Sequence, residues 1–228
     1  VVLMTAGRGK VRAVAKGVRK TKSRFGGRLE PPNRSHLILY EGRQLDTITQ
    51  AETIEHYPEL RDDLDRLTDA MALVEAVDQV AQEGEPNPAL YRMLTGALRT
   101  LAGAAERPPL LVAAFYWKLL ALEGVAPMLD ACVRCGEGPD HADYRAGGPE
   151  LVSFDPVEGG ALCRDHRRGP ALEPGALDLI SRILGGDLAA VLQEPAGRTT
   201  LAVSALATTA LEAHLERRLR TVHLLGQG

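Results

Sequence analysis

The chain lacks any run of about eighteen apolar residues, the length a membrane-crossing helix needs, so no span is expected. It also lacks a basic start followed by an apolar stretch and a small-residue cleavage site, so no secretory signal is read. Cysteine is scarce, with three residues in all. In a chain without a signal they argue for a reducing compartment and against a disulfide framework. No internal repeat is found. Catalytic signatures are missing too. The stretch Gly7-Arg8-Gly9-Lys10 ends like a phosphate loop, but Met4 stands where the first glycine belongs and Val11 where Ser or Thr belongs. Glu212, His214 and Glu216 do not form a zinc-protease motif and read as a solvated helix face. No Ser-His-Asp, Cys-His or paired-carboxylate arrangement stands out. No catalytic residue and no enzymatic activity are therefore expected.

What is present is a core-forming composition with an uneven charge. Of 228 residues, 45% are hydrophobic, enough for a packed interior, and the formal net charge is -3. Residues 1–45 carry 11 Lys/Arg against 2 acids, while the rest carries 16 against 28. A basic module joined to an acidic one is the natural reading, with the basic end directed at phosphates.

The patterning splits the same way. Residues 1–55 read as strands: an apolar run at Val1–Thr5, then Lys10–Val18 with Val11, Ala13 and Ala15 on one face and Lys10, Arg12 and Lys16 on the other. Weak alternation follows at Ser35–Gly42, and β-branched residues are dense from Gln44 to Ile54. From Pro58 the period becomes helical, with Leu60, Leu64, Leu67, Met71, Val74 and Val77 on one face. Asn87-Pro88 supplies an N-cap and a first-turn proline. The segment Pro108–Gly124 is apolar nearly all round and is expected as the central helix of a bundle. A short helix is expected up to Gly185-Gly186. A long final one is expected from Thr199 to Leu225, with Leu201, Ala205, Thr208, Leu211, Leu215, Leu219 and Val222 along its face.

Residues 130–170 break the helical pattern and hold every cysteine. Cys132 and Cys135 are separated by two residues, as are Cys163 and His166. That spacing lets a tight turn aim both side chains of a pair at one ion, and Gly136 relieves the backbone. Three thiolates and one imidazole complete a tetrahedral shell suited to a structural Zn²⁺. The other readings are buried free cysteines or a catalytic zinc. His141 is an alternative ligand within the insert.

The stretch Gly9–Pro31 concentrates Lys10, Arg12, Lys16, Arg19, Lys20, Lys22, Arg24 and Arg28, candidate nucleic-acid-binding residues that the resemblance given below assigns to DNA. Rings that could stack on bases are sparse: Phe25, Tyr40 and His36. Binding led by charge, with little sequence readout, is expected. Arg217, Arg218 and Arg220 lie at the end of the last expected helix. They read either as complements to its dipole or as a dock for an acidic peptide.

This order resembles the bacterial RecO family of recombination mediators, most specifically in "SRFGGRLEP" and "YWKLLALEGVAPMLDACVRCG", and the likeness covers essentially the whole chain. It implies an α+β protein: an OB-fold DNA-binding domain at 1–57, then a helical domain at 58–228 with a zinc-binding, ribbon-like insert at 130–170. The chain opens as though within a strand pattern, and the resemblance places about twenty residues, including a first barrel strand, ahead of Val1. A cytoplasmic, nucleoid-associated protein is implied, with no membrane role. It would bind and anneal single- and double-stranded DNA. With RecR, and in some members RecF, it would load recombinase on strands coated by single-strand-binding protein, whose acidic tail docks on the helical body. His166 stands where many members have a fourth cysteine. The alternative from another class is a zinc-dependent nucleic-acid-processing enzyme, which would need an open metal position and a general base.

Overall fold

The computed structural model describes residues 1–18, 25–139 and 148–221. They form a mixed α+β structure with an N-terminal sheet and several helices, divided into two compact units. One is Val1–Ala105, which the chain rejoins at Thr221; the other is Glu106–Arg220.

In the first unit, strands β1 (Val2–Thr5), β2 (Gly9–Val14), β3 (Arg34–Tyr40) and β4 (Asp46–Glu55) form a sheet in the order β1-β2-β4-β3. The β1–β2 and β3–β4 pairs are antiparallel, and β2–β4 is parallel through Ala13↔Asp46 and Val14↔Thr47. Alternation does what the sequence asks of it. Ala13, Ala15 and Ile48 point inward and pack with Leu3, Leu37, Leu39 and Ala51. Leu3 and Leu37 belong to the two edge strands, so both edges serve one core. At Gly9 the backbone takes φ +63°, and a Cβ there would stand 1.9 Å from the Glu85 carbonyl oxygen, so only glycine fits.

Helices α1 (Pro58–Arg61), α2 (Leu64–Val80) and α3 (Pro88–Gly103) complete this unit. One continuous helix was the expectation from Pro58, and the structure breaks it. The Asp63 carboxylate accepts from the Asp65 and Arg66 backbone N–H groups and starts a new helix. Leu64 consequently lies at the first turn, 77% exposed, and leaves the expected apolar face. Asn87 caps α3 as expected, accepting from the Leu90 N–H. Arg66 reaches the far end of α3 and donates to the carbonyls of Leu101, Ala104 and Ala105, which the helix leaves without partners of its own. The sheet is tied to α3 through Glu55. Its carboxylate accepts from Tyr57 at 2.8 Å and Arg99 at 2.7 Å and pairs with Arg34, which also donates to the Tyr91 hydroxyl. Burial works against the charge on Glu55, but Arg99, Tyr57 and Arg34 outweigh it and hold its pKa below the usual range. Burial and the same bond push the Tyr57 phenol up to about 12.

The second unit is built on α4 (Leu111–Leu122), of whose residues eight are buried, Trp117 and Tyr116 completely. Helices α5 (Ala176–Gly185) and α7 (Arg198–Leu215) pack along it, with the short α6 (Leu188–Val191) between them in sequence. The final helix is shorter than expected. Glu216 turns left-handed at φ 51°, and the Glu212 carboxylate accepts the Leu219 N–H while the Leu219 side chain turns inward. Its buried face is Thr200, Val203, Leu206, Ala207, Ala210 and Leu211, whereas Leu201 is 69% exposed. Small residues between Leu206 and Leu211 let this helix approach its neighbours. Strands β5 (Leu151–Asp155) and β6 (Gly160–Cys163) form an antiparallel hairpin. Phe154 on the hairpin meets Trp117 edge-on, with ring centroids 5.7 Å apart.

Candidate metal centre and nucleic-acid interface

The two cysteine-bearing turns meet at the β5–β6 hairpin. After α4 the chain makes a backbone ladder with β6: Met128 donates to Gly159, Ala161 to Met128, and Val133 to Ala161, each at 2.9 Å. This ladder lays Cys132 beside Cys163, the last residue of β6. A tight turn then brings round Cys135, with the Gly136 N–H donating to the Cys132 carbonyl at 2.8 Å. Gly136 takes φ +75°, the conformation its position requires. A short 3-10 turn, Arg164–His166, swings the imidazole back over the thiols.

The result is a set of four donors, Cys132, Cys135, Cys163 and His166, with all ligand atoms within 4.8 Å of one another. The His166 Nδ1 lies 3.3 Å from the Cys163 sulfur and 3.7 Å from the Cys132 sulfur. Cys132 and Cys163 are buried, and Cys135 and His166 face outward. Burial opposes ionisation of Cys132, yet backbone N–H groups of Cys163, Cys135 and Arg134, with the Cys135 thiol, bring its pKa down to about 6. At Cys135 a backbone N–H from Glu137 favours the thiolate, but burial and the neighbouring thiols outweigh it and push the pKa up. Sulfur charge crowded this way is what a cation relieves, and the four donors can hold one metal ion. His141 lies outside the described residues.

A group of charges around the site had little signature in the sequence. Arg134, inside the first turn, forms a two-pronged pair with Glu158. Arg168, two residues past His166, donates to Glu158 at 2.7 Å and to the buried Asp155 at 2.6 Å. Asp155 also accepts from the Val157 and Glu158 N–H groups. Burial opposes its charge, but these donors hold its pKa below the usual range. One carboxylate therefore joins the two ligand-bearing segments. The only hint was the acidic, Pro- and Gly-containing turn Asp155–Gly159.

The basic segment is more divided than its sequence suggests. Arg12 is exposed on the outer face of the sheet and pairs with Glu83, and Lys16 is exposed in the turn that follows β2. Lys10 is held at the edge of the unit, its ammonium 2.9 Å from the Asp78 carboxylate and 2.5 Å from its carbonyl. Arg28 is exposed and donates to the Phe25 carbonyl. Arg19, Lys20, Lys22 and Arg24 lie outside the described residues. Phe25 cannot meet a base, because at 1% exposure it fills the core of the sheet. Tyr40 and His36 stay exposed on β3. Arg217, Arg218 and Arg220 are exposed in the turn beyond α7, not on a helix.

Residues 1–57 match the family described as "Recombination protein O N terminal", and residues 61–223 match "Recombination protein O C terminal". The chain is 39% identical over 226 residues to "DNA repair protein RecO" of a Nocardioides species, covering 97% of this chain and 89% of that protein. It is 38% identical over 231 residues to the protein of the same name from Frankia casuarinae, covering 99% and 90%.

Proposed function

The chain belongs to the recombination protein O family, and from that membership we propose that it is a DNA-binding recombination mediator acting in DNA repair. In this reading residues 1–57 grip DNA, and residues 58–228 form the helical body that meets protein partners. Those partners are RecR, in some settings RecF, and the acidic tail of single-strand-binding protein, with Arg217, Arg218 and Arg220 as a candidate dock for that tail. The setting is the bacterial cytoplasm, at the nucleoid. No bond-making chemistry is assigned to it.

The single observation that supports the DNA assignment is the pair of exposed cations Arg12, on β2, and Lys16, in the turn after it, leading into a segment with four more cations in its sequence. The sheet also supports an OB-fold. An order of β1-β2-β4-β3 with one parallel pair, β2–β4, is what a five-stranded Greek-key barrel retains without the strand that joins its edges. A fifth strand between β1 and β3 would pair with both and close it.

Residues 130–170 act as the metal-binding insert, and Zn²⁺ is the ion we assign. Donors about 2.0–2.3 Å from a common zinc at tetrahedral angles stand roughly 3.5–3.8 Å apart, in keeping with the sulfur–nitrogen separations. Four protein donors leave the ion no open position, so its role is to fasten two turns together. That completeness speaks for the mediator and against a zinc-dependent nuclease or similar enzyme.

The test is a salt titration of DNA binding with Arg12→Glu and Lys16→Glu combined. Binding should weaken alike for all sequences. The slope of log affinity against log salt should fall by about 1.4 on single strands, about 0.7 for each lost phosphate contact. An unchanged slope would remove DNA binding from this face.

A further inference from the structure

The outer face of the sheet carries more than charge. Register and pleat place Val14, Thr47 and Tyr40 in one row across β2, β4 and β3, through Val14↔Thr47 and Tyr40↔Thr47. Adjacent strands lie about 4.8 Å apart, so the tyrosine stands roughly 10 Å from Val14. Arg12 precedes Val14 on β2, Lys16 is exposed in the turn just beyond that strand, and Arg43 is exposed in the turn that follows Tyr40. The ring of Tyr40 is 72% exposed and Ile38, next along the same face, 48%. With Val14 in the same row, Tyr40 and Ile38 make a small exposed apolar patch beside cations, the composition of a contact surface. The strand is firm at this point. Thr49 is an extra residue opposite Ile38 and Leu39, and its hydroxyl donates to the Ile38 carbonyl at 2.9 Å, so a bulge sets the direction of the neighbouring side chains. At the other end of β3, His36 faces Glu52, an acid that disfavours phosphate there. At the Tyr40 end Lys16 and Arg43 outnumber the exposed Glu41, so attraction for a polyanion is greater there.

We infer that this face takes a single DNA strand with one unpaired base stacked on the Tyr40 ring, its phosphates running past Lys16 and Arg43. The inference rests on the DNA-binding reading above and adds a strand preference to it. A duplex offers this row phosphates but no free base face, because its bases are already stacked on one another. A single strand offers both. Stacking is tolerant of base identity, since every base has a π-face, so the preference is for strandedness and not for sequence.

The experiment measures binding of the full chain to a labelled oligo-dT of about twenty nucleotides and to a duplex of equal length, across a salt series. Tyr40→Ala should weaken oligo-dT binding roughly tenfold, within the ~5- to 150-fold range that losing one stacked base produces, and change duplex binding by less than about twofold. Tyr40→Phe, which keeps the ring, should bind like the parent. The salt slope should be the same in all three proteins, because no phosphate contact is lost. Equal weakening of single and double strands by Tyr40→Ala would overturn the inference. So would an unchanged oligo-dT affinity in a protein where Lys16→Glu does weaken binding; the DNA reading would then stand without the stacking. A parent protein that binds neither oligonucleotide would sink both. If Tyr40→Ala left both affinities intact but abolished pull-down of a purified protein partner, the face would belong to protein contact instead.

Discussion

Chelating the zinc proposed for the four-donor site should open the two ligand turns and leave the hairpin between them closed. The hairpin has its own support. Phe154 is fully buried, worth about 1.5–3 kcal/mol. Its edge-on contact with Trp117 adds about 0.5–1.5 kcal/mol. Backbone bonds from Met128 to Gly159, Ala161 to Met128 and Phe154 to Pro170 contribute about 0.5–1.5 kcal/mol each, net. Local opening should therefore cost about 5 kcal/mol, a hydrogen-exchange protection on the order of 10³–10⁴. Among the described residues the Cys132–Gly136 turn has the backbone bonds from Cys132 to Glu137, Gly136 to Cys132 and Val133 to Ala161 and the exposed Arg134–Glu158 pair, and of its two metal-facing side chains Cys132 is buried and Cys135 exposed. Without the ion its protection should fall to roughly 10–100. Hydrogen exchange with and without chelator measures both sets of amides, and the emission of Trp117, the one tryptophan of the chain, should not shift. If the Phe154 and Ala161 amides lose protection together with those of Cys132 and Gly136, or the tryptophan emission moves to that of a solvated indole, the hairpin depends on zinc and the reasoning fails.

Glu158→Gln should speed zinc release to a chromophoric chelator by roughly fivefold to tenfold, because it loosens the carboxylate that joins both ligand segments. Glu150→Gln, which loosens only the exposed pair with Arg164, should release zinc at the parent rate. Tyr57→Phe removes one bond to Glu55 and should cost about 1 kcal/mol in denaturant unfolding. The Tyr57 pKa is raised in the folded state to about 12. Its contribution is therefore fully present below the unfolded tyrosine value near 10 and is lost as pH rises through the folded one, so the two proteins should converge in stability there. Gly9→Ala places a methyl group 1.9 Å from the Glu85 carbonyl in a left-handed conformation and should cost about 3 kcal/mol, visible as a lowered melting temperature.

Much of this molecule was legible where one residue type has one use. Cys132, Cys135, Cys163 and His166 announced themselves by spacing, and the structure gathers them. Alternation in β2 separated Ala13 from Arg12, and the all-apolar stretch from Leu111 gave the buried helix. Failures occurred where a residue type has several uses. Asp63 reads as one more acid on a polar face, yet it is a cap that starts α2. In α7, alanine and threonine give little hydrophobic contrast, so the leucine count favoured Leu201 over the face that packs. The strands β5 and β6 were hidden in a segment dominated by Gly and Pro. Lys10 shares its strand face with Arg12, but only the fold brings Asp78 against it.

Glu55 has a further consequence, for how the protein can change over generations. Arg34, Tyr57 and Arg99 come from three places in the first unit and share this one carboxylate. Replacing Glu55 alone strands two guanidinium groups near each other without a counter-charge, which is worse than losing any one donor. A substitution harmless on one background is then damaging on another. Lineages should keep the foursome whole or exchange it as a set, and grafting any single member from a divergent relative should harm the recipient more than grafting all four.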